Sequence, residues 1–80
     1  MDVLAKDVHI WEGILTVDLD NGCSISVPLK WFPRLCDADP EWWSNWELIG
    51  KGVGIHWRQC DEDISVAGLL QRIKERLPIA

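Results

Sequence analysis

Gly54-Ile55-His56-Trp57-Arg58-Gln59-Cys60-Asp61-Glu62-Asp63-Ile64-Ser65-Val66-Ala67-Gly68-Leu69-Leu70 is the stretch on which the fold turns. It reads as a short strand, an acidic turn and a helix. Ser65 suits the N-cap, and Ile64 before it is placed to pack on Leu69 four positions into the helix. Val66, Leu69, Leu70, Ile73 and Leu77 then recur at helical spacing, with polar residues largely on the other faces and Pro78 as the stop. Asp61, Glu62 and Asp63 before the helix, and Arg72, Lys74 and Arg76 near its end, match the order the helix dipole favours.

Upstream of that stretch the period is two. Val8 and Ile10 alternate with His9 and Trp11, and Glu12-Gly13 breaks the run. Leu15, Val17 and Leu19 mark one face of a second strand, and Asp20-Asn21-Gly22 turns the chain. A two-residue turn would oppose Leu19 to Ser24. A three-residue turn instead pairs Leu19 with Cys23, Val17 with Ile25 and Leu15 with Val27, keeping the apolar side chains together, with Gly22 in the left-handed conformation. Cys23 is thereby expected on the core face. Pro28 and Pro33 restrict the segment after the third strand to a single turn. Asp39-Pro40-Glu41 starts a short helix that Trp42, Trp43, Ser44 and Asn45 complete. A second hairpin follows, with Trp46 opposite Trp57, Leu48 opposite Ile55, and Glu47 and His56 on the other face. The expected fold is α+β: an antiparallel sheet of two hairpins plus an N-terminal strand, a short Trp-rich helix, and a C-terminal amphipathic helix packed on the sheet.

Eighty residues suit one domain, 1–80, with a core near the lower limit for independent stability. Six Trp against one Phe and no Tyr offset the short chain, because each large ring removes roughly 150–250 Å² from water. A net charge of -5 argues against nucleic acid as the main partner. Cys23, Cys36 and Cys60 are an odd number at wide spacing, which supports neither a disulfide framework nor a zinc site. No basic segment leading into an apolar core marks a secretory signal, and no apolar run reaches the ~20 residues of a membrane span. A reducing cytoplasm is expected.

Few groups suggest chemistry. His56, Asp61 and Asp63 could form an acid/base or metal constellation, but their spacing matches no established ligand motif, and a place in front of a helix accounts for the acids. Cys60 lacks the electropositive setting a nucleophilic thiol needs. Gly50, Gly52 and Gly54 join strands and make no phosphate loop. Trp31, Trp42, Trp43 and Trp46 beside Arg34 can form a protein-binding hot spot. In the plainer reading Trp31, Trp46 and Trp57 build the core, the Trp42-Trp43 pair covers its edge, and Arg34 pairs with the acidic turn.

Three ordered motifs carry a family resemblance: Val27-Pro28-Leu29-x-Trp31-Phe32-Pro33-Arg34-Leu35, Trp46-Glu47-Leu48-Ile49-Gly50-x-Gly52-x-Gly54-Ile55-His56-Trp57, and Asp61-Glu62-Asp63-Ile64-Ser65-Val66-x-Gly68-Leu69-Leu70. Together they resemble the small bacterial family known as domain of unknown function 2442. Arg58 stands where the family often has Pro or another residue. The resemblance implies an α+β domain and a standalone cytoplasmic protein. It also implies a location beside a second small family of unknown function, number 4160, in a two-gene arrangement of toxin-antitoxin type. Some members carry an added helix-turn-helix domain, which is not expected here because the sequence stops at Ala80.

The resulting expectation is a non-enzymatic protein-interaction module, with the antitoxin-like member of a two-gene pair as its specific form. Its partner-binding residues would be Trp31, Arg34, Trp42, Trp43, His56, Asp61 and Asp63, with no metal or cofactor. The alternative is a small metal-dependent or hydrolytic enzyme centred on His56 and the Asp61/Asp63 turn. A homodimer through the Trp42-Trp43 face is a third expectation.

Overall fold

A computed structural model describes residues 3–76. The expected helix continuation to Leu77 and the stop at Pro78 lie outside them. The first three strands, β1 (Ala5–Trp11), β2 (Ile14–Leu19) and β3 (Ser24–Pro28), form one antiparallel sheet in that order. The next three, β4 (Trp46–Ile49), β5 (Gly54–Trp57) and β6 (Glu62–Ser65), form a second antiparallel sheet in that order. A 3-10 turn at Leu29–Trp31, the short helix α1 (Pro33–Cys36) and a 3-10 turn at Pro40–Trp42 connect the sheets, and helix α2 (Val66–Arg76) follows β6. The fold is α+β, with the hairpins divided between two sheets.

Alternation sets both hairpins. Leu15 pairs with Val27 and Val17 with Ile25, and the Leu19 amide donates to the Cys23 carbonyl at 2.8 Å, which closes a three-residue turn with Gly22 at φ +90°. In the second sheet Trp46 opposes Trp57 and Leu48 opposes Ile55, both as the apolar pattern requires. Cys23 departs from expectation: its side chain is exposed and it precedes β3. It stands at the turn end of the sheet, next to the three-residue turn, while Ile25 and Val27 farther along the strand are buried.

The acidic segment also differs. Asp61, at φ +51°, makes the turn, while Glu62 and Asp63 belong to the edge strand β6, with His56 opposite Asp63 and Ile55 opposite Ile64. Ile64 is buried and its neighbours are not. Four residues with one apolar position carry too little alternation to reveal a strand. Because α2 begins at Val66 and has no acid in its first turn, the dipole role expected of these acids is not realised.

The cap itself forms as expected. The Gly68 amide donates to Ser65 Oγ at 2.9 Å, and Ile64 and Leu69 on either side of it are both buried in the core. Ser65→Ala is expected to cost about 1 kcal/mol and to lower the melting temperature by roughly 4–8 °C, measured by thermal unfolding followed by circular dichroism. The buried stripe of α2 is narrower than the spacing suggests. Val66 and Leu69 are buried and Ile73 half-buried, whereas Leu70 lies at the margin with 46% of its surface exposed.

One cluster joins both sheets and the helices, with Leu15, Val17, Leu35, Ile55, Trp57 and Leu69 almost wholly removed from water. Trp57 is the largest of them, and Trp31 and Trp46 pack half-buried against the cluster. The Trp-rich helix is shorter than expected: Asp39 accepts from the Glu41 amide at 3.0 Å and Pro40 opens the turn, which ends at Trp42.

Candidate functional site

The Trp-rich segment is held by two indole donors. Trp43 Nε1 donates to the Leu35 carbonyl at 2.9 Å, and Trp57 Nε1 donates to the Trp43 carbonyl at 3.0 Å. Trp43 is thus fastened by its side chain to α1 and by its main chain to β5. This places residues 40–46 beside β1, at the edge of its sheet. Between them lies an open pocket of about 290 Å³, with Pro40, Trp43, Ser44 and Trp46 on one side and Val8, His9 and Ile10 on the other. Its walls combine indole rings with an apolar strand edge and a few polar groups, which suits an inserted side chain.

Of the residues expected at a partner surface, Trp43 lines this pocket, and Trp42 next to it is 37% exposed. Trp31 and Arg34 are engaged within the chain. Arg72 and Arg76 of α2 stand 4.7 and 4.8 Å from the Trp31 ring centre, and Arg72 Nη1 donates to the Trp31 carbonyl at 3.1 Å. Cation–π contacts of this kind are worth roughly 0.5–1 kcal/mol at exposed positions, so they hold α2 against the Leu29–Trp31 turn. Arg34 Nη1 donates to the Asp61 carbonyl at 3.0 Å, which fastens α1 to the turn before β6.

His56 and Asp63 meet on the outward face of the second sheet, where His56 Nδ1 hydrogen-bonds the Asp63 carboxylate across β5 and β6. Asp61 does not join them as a third donor, and the pocket beside the Trp-rich segment does not include them. A carboxylate of this kind orients an imidazole, but among the described residues the pair is not part of a three-donor group. Cys60 is unsuited to that role: burial, then the negative charges of Glu62 and Asp61, push its thiol up.

Asp7, His9 and Asp18 form a polar cluster that the sequence reading missed. They lie on the outward face of the first sheet, with Asp7 opposite Asp18 and His9 opposite Thr16. His9 Nε2 donates to Asp18 Oδ2 at 2.9 Å and stands 3.4 Å from Asp7 Oδ2. Among the described residues, one potential ligand atom from each of the three comes within 4.8 Å of the others. The hydroxyl of Ser24, followed by the His9 ring, holds the Asp18 carboxyl below the ordinary carboxylate range. The signal was available: a two-residue turn at Glu12-Gly13 places Asp7 across from Asp18.

Among the described residues no helix is long and apolar enough to cross a membrane. No curated protein matches the chain. The chain is similar to a crystal structure of a protein of unknown function from Rhodospirillum rubrum ATCC 11170, with 28% identity, 90% of this chain and 89% of that chain covered, and a TM-score of 0.78. The model of the family described as protein of unknown function (DUF2442) matches residues 5–75, and with nearly the whole chain matched, this protein belongs to that family.

Proposed function

We propose that this chain is a non-enzymatic, cytoplasmic protein-interaction module, the antitoxin-like member of a two-gene pair, which receives a side chain of its protein partner in the pocket between β1 and residues 40–46. The observation that carries this reading is the pocket itself. Trp43 and Trp46 present aromatic surface to an open space of about 290 Å³, and Trp42, adjacent to Trp43 in the chain, is 37% exposed. Aromatic anchors fixed by surrounding packing are the groups that dominate binding energy at protein interfaces. The net charge of -5 adds long-range attraction for a basic partner, which raises the rate of encounter more than the final affinity.

Co-expression with the product of the adjacent gene, followed by size-exclusion chromatography, tests the reading. A stable complex is expected with the wild-type chain. Ser44→Trp, which adds bulk at an exposed pocket position and removes no core contact, is expected to weaken it at least tenfold while leaving the circular dichroism spectrum unchanged. Absence of a complex with the wild-type chain would overturn the reading, and an undiminished complex with Ser44→Trp would overturn the pocket as its location.

A further inference from the structure

We propose that Asp7, His9 and Asp18 form a binding site for a borderline divalent transition-metal ion, of which Zn²⁺ and Ni²⁺ are examples, on the outward face of the first sheet. His9 also lines the pocket between β1 and residues 40–46, but the metal assignment rests on the sheet register and is tested without a partner, so it stands or falls separately.

The sheet register builds it. Asp7 and His9 are two residues apart on β1 and so share a face, and Asp18 of β2 is directly opposite Asp7. Three donors of the two chemical types such ions take, an imidazole nitrogen and two carboxylate oxygens, therefore converge without any loop rearrangement. His9 Nε2 is 2.9 Å from Asp18 Oδ2 and 3.4 Å from Asp7 Oδ2. Ligands bound at about 2.1 Å from one ion are separated by ~3.0 Å at a right angle and ~3.4 Å at a tetrahedral angle. Both His9 separations are close to these values, and a small rotation of the two carboxylates, whose ligand atoms lie within 4.8 Å of each other, completes the arrangement around a single centre.

The remaining carboxylate oxygens are occupied in a way that directs the free ones. Asp18 Oδ1 accepts from Ser24 Oγ at 2.8 Å, and Asp7 Oδ1 accepts from the Val8 amide at 2.9 Å. In both residues Oδ2 is left facing His9. Outer hydrogen bonds of this kind orient metal-binding carboxylates.

Electrostatics gives the arrangement a reason to take up a cation. Carboxylates placed directly opposite each other on one face of an antiparallel pair repel, and the charge of nearby Lys6 acts on Asp18 without entering the triad. A dication among the three donors reverses the sign of that interaction. The imidazole decides the class of ion, because calcium and magnesium prefer all-oxygen sites while zinc and nickel favour nitrogen. His9 is 56% and Asp7 49% exposed at the side chain, so the ion enters freely and keeps open positions for water. The second imidazole, His56, lies between Asp63 and Glu47 on the neighbouring strands but is in no three-donor group among the described residues, and it serves as the internal control.

Isothermal titration with Zn²⁺ and Ni²⁺, together with thermal melts, tests the site. The titrations use the Cys23→Ser/Cys36→Ser variant, since both thiols are exposed and would bind zinc independently. One equivalent of metal is expected to bind per chain and to raise the melting temperature. His9→Gln and Asp7→Asn are each expected to weaken binding by roughly tenfold or more, and His56→Gln to leave it unchanged. Asp7→Asn retains an oxygen for the Val8 amide, so it decides the matter even where His9→Gln fails to fold. No saturable binding by about 1 mM metal, equal binding by both ligand variants, or loss of binding in His56→Gln would overturn the assignment.

Discussion

Gly52→Ala is expected to lower the folding stability by on the order of 4 kcal/mol. Gly52 has φ +117°, a conformation that L side chains rarely adopt, and a Cβ built there would stand 2.4 Å from the Ala5 carbonyl oxygen and 3.1 Å from the Ala5 nitrogen. Both obstacles are backbone, so no rotamer change relieves them. Either β1 must lift from the β4–β5 turn or the turn must change shape. Unfavourable backbone geometry alone costs ~1–3 kcal/mol, and with the steric displacement added the loss is on the order of 4 kcal/mol, in the range that marks a specific structural failure. A chain of this size has a total stability of only roughly 4–12 kcal/mol at 0.05–0.15 kcal/mol per residue. Urea denaturation gives the comparison. Gly22, at φ +90° with open space around its missing side chain, is the reference, and Gly22→Ala is expected to carry the conformational cost alone. Equal losses in the two variants would mean that contact with β1 does not require the glycine.

The close approach of Gly52 to Ala5 was not legible in the sequence, although much around it was. Leu15, Val17 and Leu19 repeat on one face strongly enough to choose a three-residue turn over a two-residue one, and the structure has that turn. Trp46 and Leu48 found Trp57 and Ile55 by the same logic, and Ser65 found the helix start. These are local decisions in which a few neighbouring residues supply the whole pattern. β6 failed because Ile64 is its one buried residue. The pocket failed for a different reason. Its two sides, β1 and residues 40–46, are far apart in the chain, and periodicity states which face a residue occupies but not which edge that face meets. The Asp7, His9 and Asp18 cluster lay between these cases: its register follows from the short turn at Glu12-Gly13, but the sequence reading assigned no partners to β1. Trp31 and Arg34, expected at a partner surface, are a further case: Arg34 does meet the acidic turn, through the Asp61 carbonyl, while the contacts of Trp31 with Arg72 and Arg76 join elements too far apart in the chain for periodicity to pair.

Trp57→Ala is the second substitution expected to remove a large share of the folding stability. Trp57, the last residue of β5, is fully buried, and replacing an aromatic side chain of this kind by alanine typically costs about 3–5 kcal/mol, because the surrounding side chains close only part of the cavity. Trp57→Phe separates the ring's two roles. It retains most of the apolar volume but removes Nε1, which leaves the Trp43 carbonyl without its donor. An unmatched, partly buried carbonyl costs roughly 1–3 kcal/mol, so the Phe variant is expected to fold with a lower melting temperature than the wild type. Its effect reaches the pocket through the main chain. Trp43 keeps its Nε1 bond to the Leu35 carbonyl but loses its fastening to β5, and the wall it forms becomes easier to displace. Amide hydrogen exchange measures this directly. The amide of Asn45, which donates to the Trp42 carbonyl at 3.0 Å, is expected to exchange faster in Trp57→Phe by more than the global loss of stability explains, while the Leu19 amide in the first sheet follows the global value alone. Equal acceleration at both positions would show that the Trp57 indole contributes only bulk to the core and does not set the geometry of the Trp-rich segment.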